Sequence, residues 1–118
     1  MQKGAITSAL FVAAFGVTLV AGGARLAGAQ DPAAGKKVYD AQKCSTCHNI
    51  AGKGGKQSTL DGVGSKLSAD EIREWIVDPI AMAKKASSTK KPPMPKKYDK
   101  LPAGDLDALV AYMQSLKK

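Results

Sequence analysis

Apolar residues follow two regimes along this chain. From Gly4 to Ala24 no residue carries a charge, and Ile6 to Phe15 forms the body of an apolar run. Beyond Gln30 the apolar positions spread out and recur at spacings of three and four. Ile72, Trp75 and Ile76 repeat in this way, as do Leu106, Leu109, Val110, Met113 and Leu116, so each set makes one stripe on a helix.

Local signals bound three helices. The first opens at Asp31-Pro32, an N-cap residue followed by proline at the first helical position, and is predicted to run to about Lys43. The second starts at Ser68, with Glu71 three residues on as a capping-box partner, and Pro79 is expected to end it. The third starts near Pro102 and carries the last apolar stripe. Between them lie a glycine-rich stretch, Gly52 to Lys56 with Asp61 to Gly64, and a second irregular stretch, Ala86 to Lys97, too rich in proline for helix. No convincing strand alternation and no internal repeat is present. The expected class is all-α with long loops.

The leading segment reads as an export signal rather than as part of the domain. Lys3 supplies a short positive region, the apolar run follows, and Ala27-Gly28-Ala29 is a small-residue cleavage site. Cleavage after Ala29 is expected, leaving residues 30–118 as the domain. An uncleaved membrane anchor is the alternative, because the charge-free run of 21 residues is long enough to span a bilayer. No cysteine lies in residues 1–29, which excludes a lipid-modified cysteine at the cleavage site. On either reading the domain is exported, to the periplasm or an equivalent compartment.

Removing 29 of the 118 residues leaves 89, with only Tyr39, Trp75, Tyr98 and Tyr112 as aromatics. A domain this small buries a poor fraction of its surface, and such chains usually need a disulfide, a metal or a cofactor to complete the core. The domain holds 16 Lys and Arg (18 less Lys3 and Arg25) against 10 acids. In an exported chain that balance argues for an acidic protein partner or an anionic membrane surface rather than nucleic acid.

One motif carries chemistry. Cys44-Ser45-Thr46-Cys47-His48 is the C-x-x-C-H attachment signature of c-type haem. Two cysteines three apart on a helical turn share a face, so both sulfurs reach the two vinyl groups on one porphyrin edge, and the next residue offers an imidazole to the iron. The competing readings are weaker. A redox disulfide of thioredoxin type wants a βαβ pattern, which is missing. A structural zinc site needs four ligands, and the chain has two Cys and one His in all. A plain disulfide leaves His48 unexplained.

Because His48 is the only histidine, bis-histidine ligation within one chain is excluded. Met1 falls in the leader, Met113 belongs to the last apolar stripe, and Met82 follows the second helix directly, where packing is its expected role. Met94 lies in Pro92-Pro93-Met94-Pro95, where the prolines stiffen a loop able to hold a thioether at the iron. Met94 is therefore the expected sixth ligand, with Met82, a lysine or an open position as alternatives.

At this point the domain resembles a class I monohaem cytochrome c over essentially all of its length. Gly35-Lys36-Lys37-Val38-Tyr39 ahead of the haem motif is similar to that family's first helix, and Leu109-Val110-Ala111-Tyr112 to its last. The resemblance implies a small cytochrome c fold, three main helices wrapped around one covalent haem, with Gly35 and Tyr39 packed against Leu109 and Tyr112. It also implies that Trp75 lies near the haem. The chain departs from the family in lacking a proline after the glycine loop; Gln57-Ser58-Thr59-Leu60 stands there, which leaves the acceptor of the proximal imidazole N–H open, although the Ser58 carbonyl could serve.

With both axial positions filled, no site is open for a substrate. The expected function is therefore single-electron transfer between redox partners, not enzymatic catalysis. Seven lysines, at 84, 85, 90, 91, 96, 97 and 100, surround the Met94 loop with Asp99 as the lone acid. They suggest docking on acidic patches of partner proteins. A monomeric shuttle is expected, with membrane attachment only if the leader stays uncleaved; a haem subunit permanently bound to a larger oxidoreductase is the alternative.

Overall fold

The first helix begins where its cap chemistry directs. The computed structural model describes residues 31–118, so the expected leader and its cleavage site lie outside the described residues. Helix α1 (Pro32–Ala41) starts after Asp31, whose carboxylate accepts the Ala33 N–H at 2.9 Å. It stops two residues short of the expected end. Lys43 takes a left-handed conformation, φ 55°, and Cys44–Thr46 winds into a single 3₁₀ turn. The change of direction at Lys43 delivers the Cys-x-x-Cys-His segment away from the helix axis.

A small sheet follows, where none was expected. Strands β1 (His48–Ile50), β2 (Lys53–Gly54) and β3 (Ser58–Thr59) assemble in the order β2-β1-β3. β1 pairs antiparallel with β2, and parallel with β3 in a register that sets His48 opposite Ser58. Strands of two or three residues are too short to show a period in sequence. Gly54 makes the first pairing possible: its φ is 119°, and a Cβ there would stand 2.2 Å from the His48 carbonyl oxygen.

The glycine-rich stretch continues into a one-turn helix, α2 (Val63–Lys66). Helix α3 (Ala69–Val77) carries the complete capping box: the Glu71 N–H donates to Ser68 Oγ, and the Ser68 N–H donates to the Glu71 carboxylate at 2.8 Å. Caps of this kind contribute about 1 kcal/mol. Pro79 does end α3, but it also opens a further helix, α4 (Pro79–Lys85), because proline suits a first helical position. Met82 lies on α4 and is buried, as expected of a packing residue. Helix α5 (Ala103–Ser115) completes the chain's regular structure.

Helix α5 is the hub, packing against α1, α2 and α3. Leu109, Val110 and Met113 from its stripe join Tyr39, Ile72, Ile76 and Tyr98 in one buried cluster. Tyr39 meets Tyr112 edge-on, with ring centroids 5.7 Å apart and planes at 70°. That geometry adds roughly 0.5–1.5 kcal/mol beyond the area buried. The expected pairing of the first and last helices through Gly35, Tyr39, Leu109 and Tyr112 is present. Arg73 of α3 is ion-paired with Asp107 of α5. Among the described residues no charged or polar side chain is fully buried, and the architecture is helix-rich with one small sheet.

Candidate functional site

A cleft opens between the 3₁₀ turn and the helical core. Its inner part is an apolar cavity of about 220 Å³, lined by Leu60, Val63, Leu67, Ile72, Trp75 and Leu109 among others. An outer part of about 670 Å³ opens beside Lys43, Lys90 and Lys97. Cys44, His48, Ser58, Met94 and Tyr98 line both parts, so the two form one slot.

Cys44 and Cys47 are both half-buried and carry free thiols. Burial pushes the Cys44 thiol pKa up, with the nearby Lys97 charge acting in the opposite direction. Tyr39 forms the floor beside Cys44. Its hydroxyl donates to the His48 carbonyl at 3.4 Å, and burial, with Cys44 nearby, pushes its pKa up to about 12, so it stays a neutral donor.

His48 is held by the sheet and faces the slot. Burial lowers its imidazole pKa, which keeps the ring neutral and its lone pair free to bind a metal; the Ser58 backbone acts more weakly in the opposite sense. The Ser58 contact falls short of a hydrogen bond, since Nδ1 is buried without a partner. Ser58 is thus adjacent to His48 through the parallel register, without a hydrogen bond to Nδ1.

Met94 is half-buried and packs against the core cluster from the proline loop. The structure therefore brings Cys44, His48 and Met94 to one slot, with Cys47 and Met94 together on its outer part. Trp75 also reaches the slot, as the resemblance implied. Two contributions were not read from sequence. Tyr98, buried four residues beyond Met94, lines both parts of the slot; an aromatic residue set in a lysine-rich run was its signal. Leu60, Val63 and Leu67 make a complete wall from what reads as a polar, glycine-rich loop.

A slot with an apolar interior, two unjoined thiols at one edge and an imidazole kept neutral by burial fits a flat apolar macrocycle attached at its rim and bound through its metal. Residues 32–117 match the Cytochrome c family model. The chain belongs to the cytochrome c family. No curated protein and no solved structure gives a significant match. As a cytochrome c, the chain is a haem-based electron-transfer protein whose cofactor is covalent haem c with its iron, and Cys44 and Cys47 fit the attachment motif. No helix among the described residues is long and apolar enough to cross a membrane.

Proposed function

We propose that this cytochrome c carries single electrons between protein partners outside the cytoplasm, with its iron held between His48 and Met94. The observation that carries the reading is that His48 and Met94 line the same two-part slot, which Cys44 also borders. Haem c supplies the ferric–ferrous couple. The chain's residues do the rest. Cys44 and Cys47 form the thioether bonds that fix the macrocycle in one orientation. His48, kept neutral by burial, offers a ring nitrogen on one side. Met94 offers a thioether on the other, which favours the ferrous state and raises the potential. Leu60, Leu67, Ile72 and Leu109 exclude water, which favours the less charged reduced site as well.

If His48 and Met94 both held the iron, no position would be left for a substrate, and the chemistry supplied would be outer-sphere electron transfer. Lys43, Lys90 and Lys97 line the outer part of the slot, and Lys84, Lys85, Lys91, Lys96 and Lys100 are exposed in the segments before and after Met94 in sequence. This collar supports docking on acidic patches of redox proteins, with like-charged partners repelled. The rate of electron transfer to a partner is expected to fall as ionic strength rises; a rate indifferent to salt removes the collar from the account.

A visible spectrum and an intact mass of the exported protein test the whole reading. The expected result is one covalent haem on residues 30–118, with the weak red-end charge-transfer band that reports ferric Fe–S(Met) bonding. Loss of the band on Met94→Ala, but not on Met82→Leu, assigns the ligand. A wild-type protein without the band, or one that binds carbon monoxide rapidly when reduced, overturns the His48/Met94 assignment.

A further inference from the structure

The loop that presents Met94 is held to the rest of the molecule by little. Among the described residues, no backbone hydrogen bond joins residues 89–97 to another element; the Lys97 N–H reaches only the Pro95 carbonyl, and the Lys90 N–H only the Ser88 hydroxyl. One polar side chain reaches out. Lys96 Nζ donates to Asp78 Oδ2 at 3.3 Å, an ion pair whose two side chains are each 45% exposed.

Asp78 is an unusually fixed anchor. It sits between α3 and α4, and its N–H donates to the Glu74 carbonyl at 2.8 Å. Its Oδ1 accepts the Ala81 N–H at 3.2 Å, capping α4 and leaving Oδ2 free for Lys96. The next residue, Pro79, is completely buried. Two and three residues earlier, Ile76 and Trp75 form part of the slot wall. The carboxylate is thus rigid with respect to the slot. On the loop side, Pro95 separates Lys96 from Met94 and fixes its own φ, so a restraint on Lys96 is passed to Met94 with little slack.

We propose that Asp78 is a positioning residue for the Met94 ligand: one carboxylate oxygen caps α4, the other tethers Lys96, and the tether limits how often the Met94 loop swings away from the slot. The proposal rests on Met94 being the axial ligand. It makes the loop's opening sensitive to salt, because a part-exposed ion pair is screened readily.

The test uses ferric holoprotein and added imidazole, which displaces the thioether at a rate set by loop opening. Asp78→Asn keeps a side chain that caps helices well but removes the charge. Imidazole exchange in that variant is expected to be about two- to fivefold faster than in wild type, the range an ion pair of this exposure supports. Lys96→Gln, which touches no cap, is expected to give the same acceleration, and the double variant no more than either alone. Added salt should speed exchange in wild type and leave the variants unchanged. Equal rates in wild type and Lys96→Gln, or single effects that simply add, overturn the proposal while the red-end band still stands for Met94. A wild-type protein without that band overturns the proposal and the ligand assignment together.

Discussion

Gly35 lies directly against the carbonyl of Ala108 where α1 meets α5. A Cβ at Gly35 would stand 1.9 Å from that oxygen and 2.6 Å from the Tyr112 Cβ. Neither obstacle is the end of a flexible side chain, so neither yields by changing rotamer. Alanine in a helix is favoured over glycine by about 1 kcal/mol, but overpacking against backbone costs roughly 1–3 kcal/mol or more. Sterics therefore win. Gly35→Ala is expected to lower the stability of the holoprotein by about 1–2 kcal/mol, a fall in Tm of roughly 4–8 °C per kcal/mol for a domain of this size. A thermal melt checks it; an unchanged Tm means that α1 and α5 separate without cost.

The wall formed by Val63 and Leu67 is latched from behind by residues following the core of α5. Gln114 Nε2 donates to the Leu67 carbonyl at 2.9 Å, the Gly64 N–H to the Leu116 carbonyl at 2.8 Å, and Lys117 Nζ to the Gly64 carbonyl at 2.8 Å. Gln114→Leu removes the donor and leaves a part-buried carbonyl unpaired, at a cost of about 1–2 kcal/mol. The expected local signature is faster amide hydrogen exchange over residues 63–67, with α1 little affected. Exchange that rises uniformly across the protein would mean that the contact supports the fold as a whole and not this wall.

How much of this was readable in sequence depends on how local the cause is. Asp31-Pro32 and Ser68–Glu71 were legible because a cap is made by residues within one turn of it. Pro79 was half legible: the ring forbids continuing α3, but the same fixed φ is suited to starting α4, and only packing of Met82 and Pro79 decides for a helix. The sheet was not legible, since its pairs are held by Gly54 coming within reach of the His48 carbonyl, a tertiary approach no short period records. At the site, the Cys44-Ser45-Thr46-Cys47-His48 spacing carried the attachment motif, and the prolines marked the loop that brings Met94 to the slot. The slot walls escaped notice because Leu60, Val63 and Leu67 come together only after α2 and the α5 tail fold over them.

Acid should weaken the start of α3 through Glu71. Its carboxyl is held below the ordinary value of 4.5, chiefly by the hydrogen bond from the Ser68 N–H and next by the Ser68 side chain. A folded-state pKa below the unfolded one contributes stability that is fully present above the unfolded value and is lost as pH falls through the folded value. Glu71→Gln, which no longer ionises, is expected to be the less stable protein at neutral pH, with the difference shrinking once pH drops below 4.5. Denaturant titrations of both holoproteins across that interval measure it. A difference that persists unchanged in acid assigns the stabilisation to side-chain shape rather than charge.

Haem should be part of the core and not an addition to it. The fully buried apolar side chains are few, and Tyr39, Ile72, Ile76, Tyr98, Leu109 and Met113 all face the slot on one side while packing on each other on the other. Without a group in the slot these residues would lose the contacts made on that side. A domain of this size has little stability in reserve for such losses. Replacing Cys44 and Cys47 by Ala, which prevents attachment, is therefore expected to give a chain with most of its far-ultraviolet helical signal and all of its cooperative melting lost. The Met94→Ala holoprotein, by contrast, should remain helical, because the thioether bonds to Cys44 and Cys47 would still hold the macrocycle in the slot. A helical, cooperatively melting double cysteine variant would show that the protein side chains close the core unaided, and would remove the cofactor from the account of the fold.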